Sequence, residues 1–154
     1  MSGNAASRAL SLAALTVIEL SPPEMVSCAA DAGFSHVGLR LLPATPEEPV
    51  YPVVGDTPMV RDIARRLAST GVVVLDIEIV RLKATTKPAD YLPVLETGTR
   101  LGARHVLVSG NDPDEARLIA NFAELAALAA PLGLSLGIEP MPWTDVRDFS
   151  ARCV

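Results

Sequence analysis

Short apolar runs alternate along this chain with longer stretches of helical periodicity, and the pair recurs about every 30 residues, as βα units require. Five runs rich in Val, Ile or Leu read as buried parallel strands: Leu12 to Leu20, His36 to Leu41, Val72 to Val80, His105 to Ser109 and Leu134 to Glu139. Four complete helices fit between them. Ser21-Pro22-Pro23-Glu24 carries a capping-box pattern with proline at the first helical position, and Asp112-Pro113-Asp114-Glu115 repeats it before the fourth helix. Thr57-Pro58 opens the second helix. Gly33, Gly71, Gly102 and Gly133 each follow a helical run, where a left-handed residue ends the helix. Val60, Ile63 and Leu67 form one apolar stripe, and Leu118, Phe122, Leu125 and Ala129 another; both read as core.

Repetition this regular closes as a barrel or opens as a doubly wound sheet, and periodicity alone does not separate the two. No G-x-G-x-x-G follows the first strand and no G-x-x-x-x-G-K-[ST] occurs anywhere, so the commonest phosphate signatures of open nucleotide-binding sheets are missing. The expected fold class is therefore α/β, a partial (β/α)8 TIM barrel of about five strands and four to five helices in sequential parallel order. The alternative is an open flavodoxin-like sheet with strand one lying centrally.

With 154 residues, 49% apolar and 20% charged, the chain can bury one core, and one soluble domain or part of one is expected. A net charge of −5 offers no electrostatic footprint for a nucleic-acid backbone, so DNA and RNA are not expected partners. Cys28 and Cys153 lie far apart, outside any Cys/His cluster, which argues against a zinc site or disulfide framework. The opening MSGNAASRAL lacks the features of a signal peptide, and no apolar run reaches the roughly 20 residues that span a bilayer. A cytoplasmic location with no membrane partner is the expectation.

In a barrel, functional groups gather at the carboxyl ends of the strands, and alternate residues face inward or toward the helices. In the fifth strand Leu134, Leu136 and Ile138 are the apolar set, which turns Ser135, Gly137 and Glu139 inward. In the third, Val73, Leu75, Ile77 and Ile79 are taken to face outward and Asp76 and Glu78 inward; in the second, Arg40 turns inward. Glu139, Glu78 and Arg40 then converge on one mouth, and Glu19 at the end of the first strand joins them if its ambiguous parity turns it inward. Buried carboxylates cost several kcal/mol unless paired, protonated or bound to a cation. Several around one mouth suggest a hard divalent metal, and the alternative is a plug in which Arg40 neutralises Glu78.

His36 and His105 open their strands, at the face of a barrel concerned with stability, and read as structural. No G-x-S-x-G or H-E-x-x-H motif supports a serine hydrolase or zinc peptidase. The proline-rich connection from Leu42 to Asp56, which carries Tyr51, is long enough for a lid or a surface excursion. Arg81, Lys83 and Lys87 follow the third strand, either to meet a phosphate or as a solvated face.

The stretches AADAGFSHVGLRL, GVVVLDIEIVRL, LETGTRLGARHVLVSG and LGLSLGIEPMPWTDV together resemble the xylose-isomerase-like barrel superfamily, and within it the sugar phosphate isomerases and epimerases. The resemblance implies that Glu139, ending the fifth strand, is the first ligand of a divalent metal. It also implies further Asp, His and Glu ligands from strands six to eight. A complete barrel needs about 250 residues, so residues 1–154 are expected to be the N-terminal part of a single barrel, truncated within its fifth helix and inactive alone. The implied function is metal-dependent isomerisation or epimerisation of a small sugar, sugar phosphate or polyol by proton transfer beside a carbonyl. Glu139 and Glu78 would be catalytic, Glu139 would bind the metal, and Arg40, Glu19 and Trp143 would hold substrate. Mn2+ or Mg2+ suits oxygen ligands, with Zn2+ or Co2+ as alternatives. The rival readings are a catalytically silent half-barrel that self-associates through open sheet edges and a fragment of an endonuclease-IV-like repair enzyme, against which the acidic charge and lack of histidine ligands argue.

Overall fold

Local capping chemistry sets the helices of the computed structural model, which describes residues 9–141. Helix α1 (Pro22–Asp31) begins where Ser21 donates its backbone N–H to the Glu24 carboxylate at 2.9 Å. Helix α2 (Pro58–Thr70) begins at Thr57, whose hydroxyl accepts the Val60 N–H at 3.1 Å. Helix α3 (Leu92–Arg100) continues a 3-10 turn at Pro88–Tyr91. Helix α4 (Glu115–Ala129) is capped by Asp114, which accepts the Arg117 N–H at 3.0 Å. The cap is thus Asp114 rather than Asp112. Asp112, fully buried, instead accepts the Asp114 N–H and a bidentate pair of bonds from the Arg117 guanidinium at 2.6 and 2.7 Å. Gly33, Gly71, Gly102 and Gly133 all follow helical segments at positive φ, between 73° and 87°, as expected of helix-ending residues.

The five strands are β1 (Ser11–Ala13), β2 (His36–Arg40), β3 (Val73–Leu82), β4 (His105–Gly110) and β5 (Ser135–Ile138). They form one parallel sheet in the order β1-β2-β3-β4-β5. Strand one lies at an edge beside β2, which rules out the flavodoxin-like arrangement and leaves a partial (β/α)8 barrel.

Strand β1 is much shorter than the apolar run suggests. It pairs with β2 only from Ser11 to Ala13 and then winds into a 3-10 helix at Ala14–Val17. The physical reason is a competing acceptor: the Ala14 N–H donates to the Glu78 carboxylate at 3.2 Å. Strand β3 runs two residues beyond its expected end, to Leu82, and its pairing slips twice. One slip skips Leu75 against β2, and the other falls between Ile77 and Val80 against β4, where the Glu78–Ile79 peptide is cis.

The core lies between the sheet and the helices. Val37, Leu39, Val74, Ile77, Val80 and Leu82 pack against Val26, Ile63, Leu95, Leu118 and Leu125, all nearly shut off from water. Each such side chain contributes about 1.5–3 kcal/mol of transfer free energy. Gly98 lets α3 lie close on the sheet, because a Cβ there would sit 2.6 Å from Ile77 Cδ1. Among the described residues no helix is long and apolar enough to cross a membrane.

Candidate functional site

The sheet face opposite the helices carries the polar residues. Parallel pairing puts Ala13, Gly38, Asp76, His105 and Ser135 in one row across it, with Arg40 and Glu78 paired toward the carboxyl ends. Above them is a cavity of about 540 Å³, within the size range of small-molecule sites, lined by Arg40, Asp76, Glu78, Arg81 and Glu139 among others.

Glu78 is the most enclosed of these carboxylates, with 9% of its side chain exposed. One oxygen accepts the Ala14 N–H, and the other lies 3.4 Å from the Arg40 guanidinium. Burial pushes the Glu78 carboxyl above its ordinary range; Arg40 pulls it back, and the neighbouring Asp76 charge adds to the rise. Asp76 is likewise raised by burial, against the opposing charge of His105. It fits because position 38 is glycine: a Cβ there would stand 2.3 Å from Asp76 Oδ1.

Arg40 is shared. Its Nη1 donates to Glu48 at 2.7 Å, a shorter contact than the one to Glu78, and Glu48 also accepts the Ala44 N–H at 2.9 Å. Burial opposes ionisation of Glu48, but the Ala44 N–H and the Arg40 guanidinium outweigh it and hold the carboxyl below its usual range. The long connection between β2 and α2 is therefore tied to the mouth by an ion pair and anchored farther on by buried Val53. It covers an apolar hollow shared with Val17, Leu20 and Met25.

Glu139 lies just past β5, exposed, with its N–H bonded to Val108 O at 2.9 Å. Its carboxylate makes no hydrogen bond or ion pair with the described residues, although it lines the mouth. The structure thus brings Glu139, Glu78 and Arg40 together. Glu19 does not join them: it is exposed in the turn beyond the 3-10 helix, because β1 stops at Ala13, and it does not line the mouth. Trp143 lies outside the described residues.

The expected alternation in β3 fails at three positions. Leu75 and Ile79 line the mouth instead of facing the helices, and Val73 is 45% exposed. The two register slips are the cause, since each changes which residues face the helices. His36 and His105 do open their strands, and each ring Nδ1 lies within 2.8 Å of a serine hydroxyl, Ser35 and Ser135 respectively. Glu48 is the participant that sequence reasoning missed. Its only signal is the acidic pair Glu47-Glu48 in the loop that follows Arg40.

A hard divalent cation takes six or more oxygen ligands, or fewer when waters complete the shell. Among the described residues no group of three or more His, Cys, Asp or Glu is placed to hold a metal ion. Glu139 fits as a single ligand, since its carboxylate is an unengaged hard donor at the rim; Glu78 is already committed to Arg40 and Ala14.

No family model and no curated protein matches this sequence. Solved structures do match, and they share the fold: this chain aligns with part of barrels that include xylose isomerase domain proteins. A xylose isomerase domain-containing protein from Salmonella typhimurium LT2 aligns over 85% of this chain and 48% of its own, with TM-score 0.65 and 16% identity. The IolI protein, in a structure with a binding zinc atom, aligns over 85% and 51%, with TM-score 0.62 and 15% identity. A sugar phosphate isomerase/epimerase from Parabacteroides distasonis ATCC 8503 aligns over 90% and 53%, with TM-score 0.54 and 13% identity. The chain spans about half the length of these proteins.

Proposed function

We propose that this chain contributes one side of a metal-assisted sugar or polyol isomerase or epimerase site. The observation that carries the reading is the convergence of buried Glu78, its partner Arg40 and unengaged Glu139 on one mouth at the carboxyl ends of parallel strands. Glu139 would hold a divalent cation, with Mn2+ or Mg2+ suited to oxygen donors and Zn2+ or Co2+ as alternatives. The IolI neighbour, solved with a binding zinc atom, supports a metal on this fold. When bound, the cation supplies Lewis acidity that stabilises negative charge on substrate oxygens.

Glu78 takes the proton from the carbon beside the carbonyl. In an isomerisation it returns that proton to the former carbonyl carbon while a hydroxyl proton passes between the two substrate oxygens; an epimerisation needs a second acid on the opposite face to reprotonate the same carbon. A carboxyl whose proton affinity is raised by burial is a better base at neutral pH than an exposed one. Arg40 keeps Glu78 in place, and its Nε, buried with no hydrogen-bond partner among the described residues, remains as a donor for a substrate oxygen.

Titration with Mn2+ of the chain joined to strands that complete the barrel, followed by the loss of free-ion electron paramagnetic resonance signal, tests the reading. Wild type should bind the ion, and Glu139→Gln should weaken binding by about tenfold or more, ~1.4 kcal/mol. Wild-type affinity in the variant, or no binding by either protein, would overturn it.

A further inference from the structure

Ten lysines and arginines lie among the described residues. Six of them, Arg40, Arg61, Arg65, Arg66, Arg100 and Arg117, make ion pairs. Of the four with no ion pair among the described residues, three line a single cleft: Arg81, Lys83 and Lys87, with Asp90 as the acidic group on its wall.

The cleft adjoins the mouth, and Arg81, near the end of β3, lines both. Arg81 is half-buried, and its Nε is shut off from solvent with no hydrogen-bond partner among the described residues. Buried donors of this kind are normally satisfied, so the guanidinium retains a bond to give. The segment after it is already organised. The Thr86 hydroxyl accepts the Lys83 N–H at 2.8 Å and lies 3.3 Å from Arg81 O, to which the Tyr91 hydroxyl also donates at 3.4 Å.

We propose that this cleft binds the phosphate group of a phosphorylated sugar or polyol whose carbon skeleton occupies the adjoining mouth, through Arg81, Lys83 and Lys87. Three cations match a phosphate monoester dianion with its three acceptor oxygens better than they match a carboxylate, and a guanidinium can engage two of those oxygens at once. The inference deepens the isomerase reading and rests on it for the substrate, but the anion site itself is read without metal or turnover.

Isothermal titration calorimetry of the full chain with inorganic phosphate at low salt tests the site. Wild type should bind, Arg81→Gln should lose about tenfold or more in affinity, and the exposed pair Lys83→Gln/Lys87→Gln a comparable amount. Arg104→Gln, which removes the fourth unpaired cation outside the cleft, should change nothing. The exposed lysine pair keeps the test sound if Arg81→Gln fails to fold. No phosphate binding by wild type, retained affinity in the lysine pair, or an equal loss with Arg104→Gln would overturn the site. Fructose 6-phosphate should displace phosphate while fructose does not; a site that takes only free phosphate would overturn the substrate assignment. Phosphate binding without Mn2+ binding would sink the isomerase reading and leave the anion site standing, and the reverse pair of results would sink the anion site alone.

Discussion

On the helix side of the sheet, Val37, Leu39, Val74, Ile77 and Val108 are each at most 1% exposed. On the opposite side of the same strands stand Arg40, Asp76 and Glu78, with Glu139 just past β5. One face is a closed apolar layer whose residues are interchangeable in kind and constrained in volume. The other is polar, open and specific in position. The contrast shows how a strand can serve both tasks: period-two alternation assigns one set of side chains to packing, and the other set is left for chemistry.

Truncation on the packed face should have the largest effect. Leu39→Ala should cost about 2–5 kcal/mol in urea unfolding, from lost transfer energy plus the cavity left behind. Glu139→Gln, on the open side, should stay within about 0.5 kcal/mol of wild type. Equal costs at the two positions would erase the distinction between the faces.

A smaller effect should come from the one place where the open face is packed tightly. Gly38→Ala would push a Cβ into Asp76 Oδ1, 2.3 Å away, and should cost about 1–3 kcal/mol. Adding Asp76→Ala should restore most of that loss, because it removes the atom struck. Additive costs in this double-mutant cycle would show that the clash is relieved elsewhere.

The smallest effect is pH-dependent. The Asp76 carboxyl is raised by burial above 3.8, so below that pH both folded and unfolded chains hold the proton and burial carries no charge penalty. As pH rises through the window between 3.8 and the raised folded value, the unfolded state ionises first and the fold loses stability. Above the window the penalty is complete. Asp76→Asn removes the titration, so the variant should gain stability relative to wild type across that window and keep the gain at neutral pH. A difference between the two proteins that stays flat from acid to neutral pH would show that Asp76 is not penalised by burial.

Much of the architecture was legible in the residues. The five strand cores, the starts of α1 and α2, and the four left-handed glycines follow from interactions spanning only a few positions. So do the directions of Arg40 and Glu139, because parity along a regular strand gives side-chain direction, whereas Glu78 reaches the mouth from a strand whose alternation is broken. Parity failed in β3 at Leu75 and Ile79, where pairing slips against both neighbours, and Glu19 was misplaced because an apolar run concealed the end of β1. The Arg40–Glu48 pair was invisible because nothing local dictates which of its carboxylates a loop brings back to a strand.

By itself the sequence determined where α1 and α2 begin, which glycines end helical segments, and where the cores of the five strands lie. Those features depend on hydrogen bonds and steric limits within one turn or one strand. Only the tertiary structure decided the register of β3 and the capture of the Ala14 N–H by Glu78. These rest on contacts between segments far apart in the chain, and a slip of one residue in a neighbouring strand is enough to turn a side chain from one face to the other.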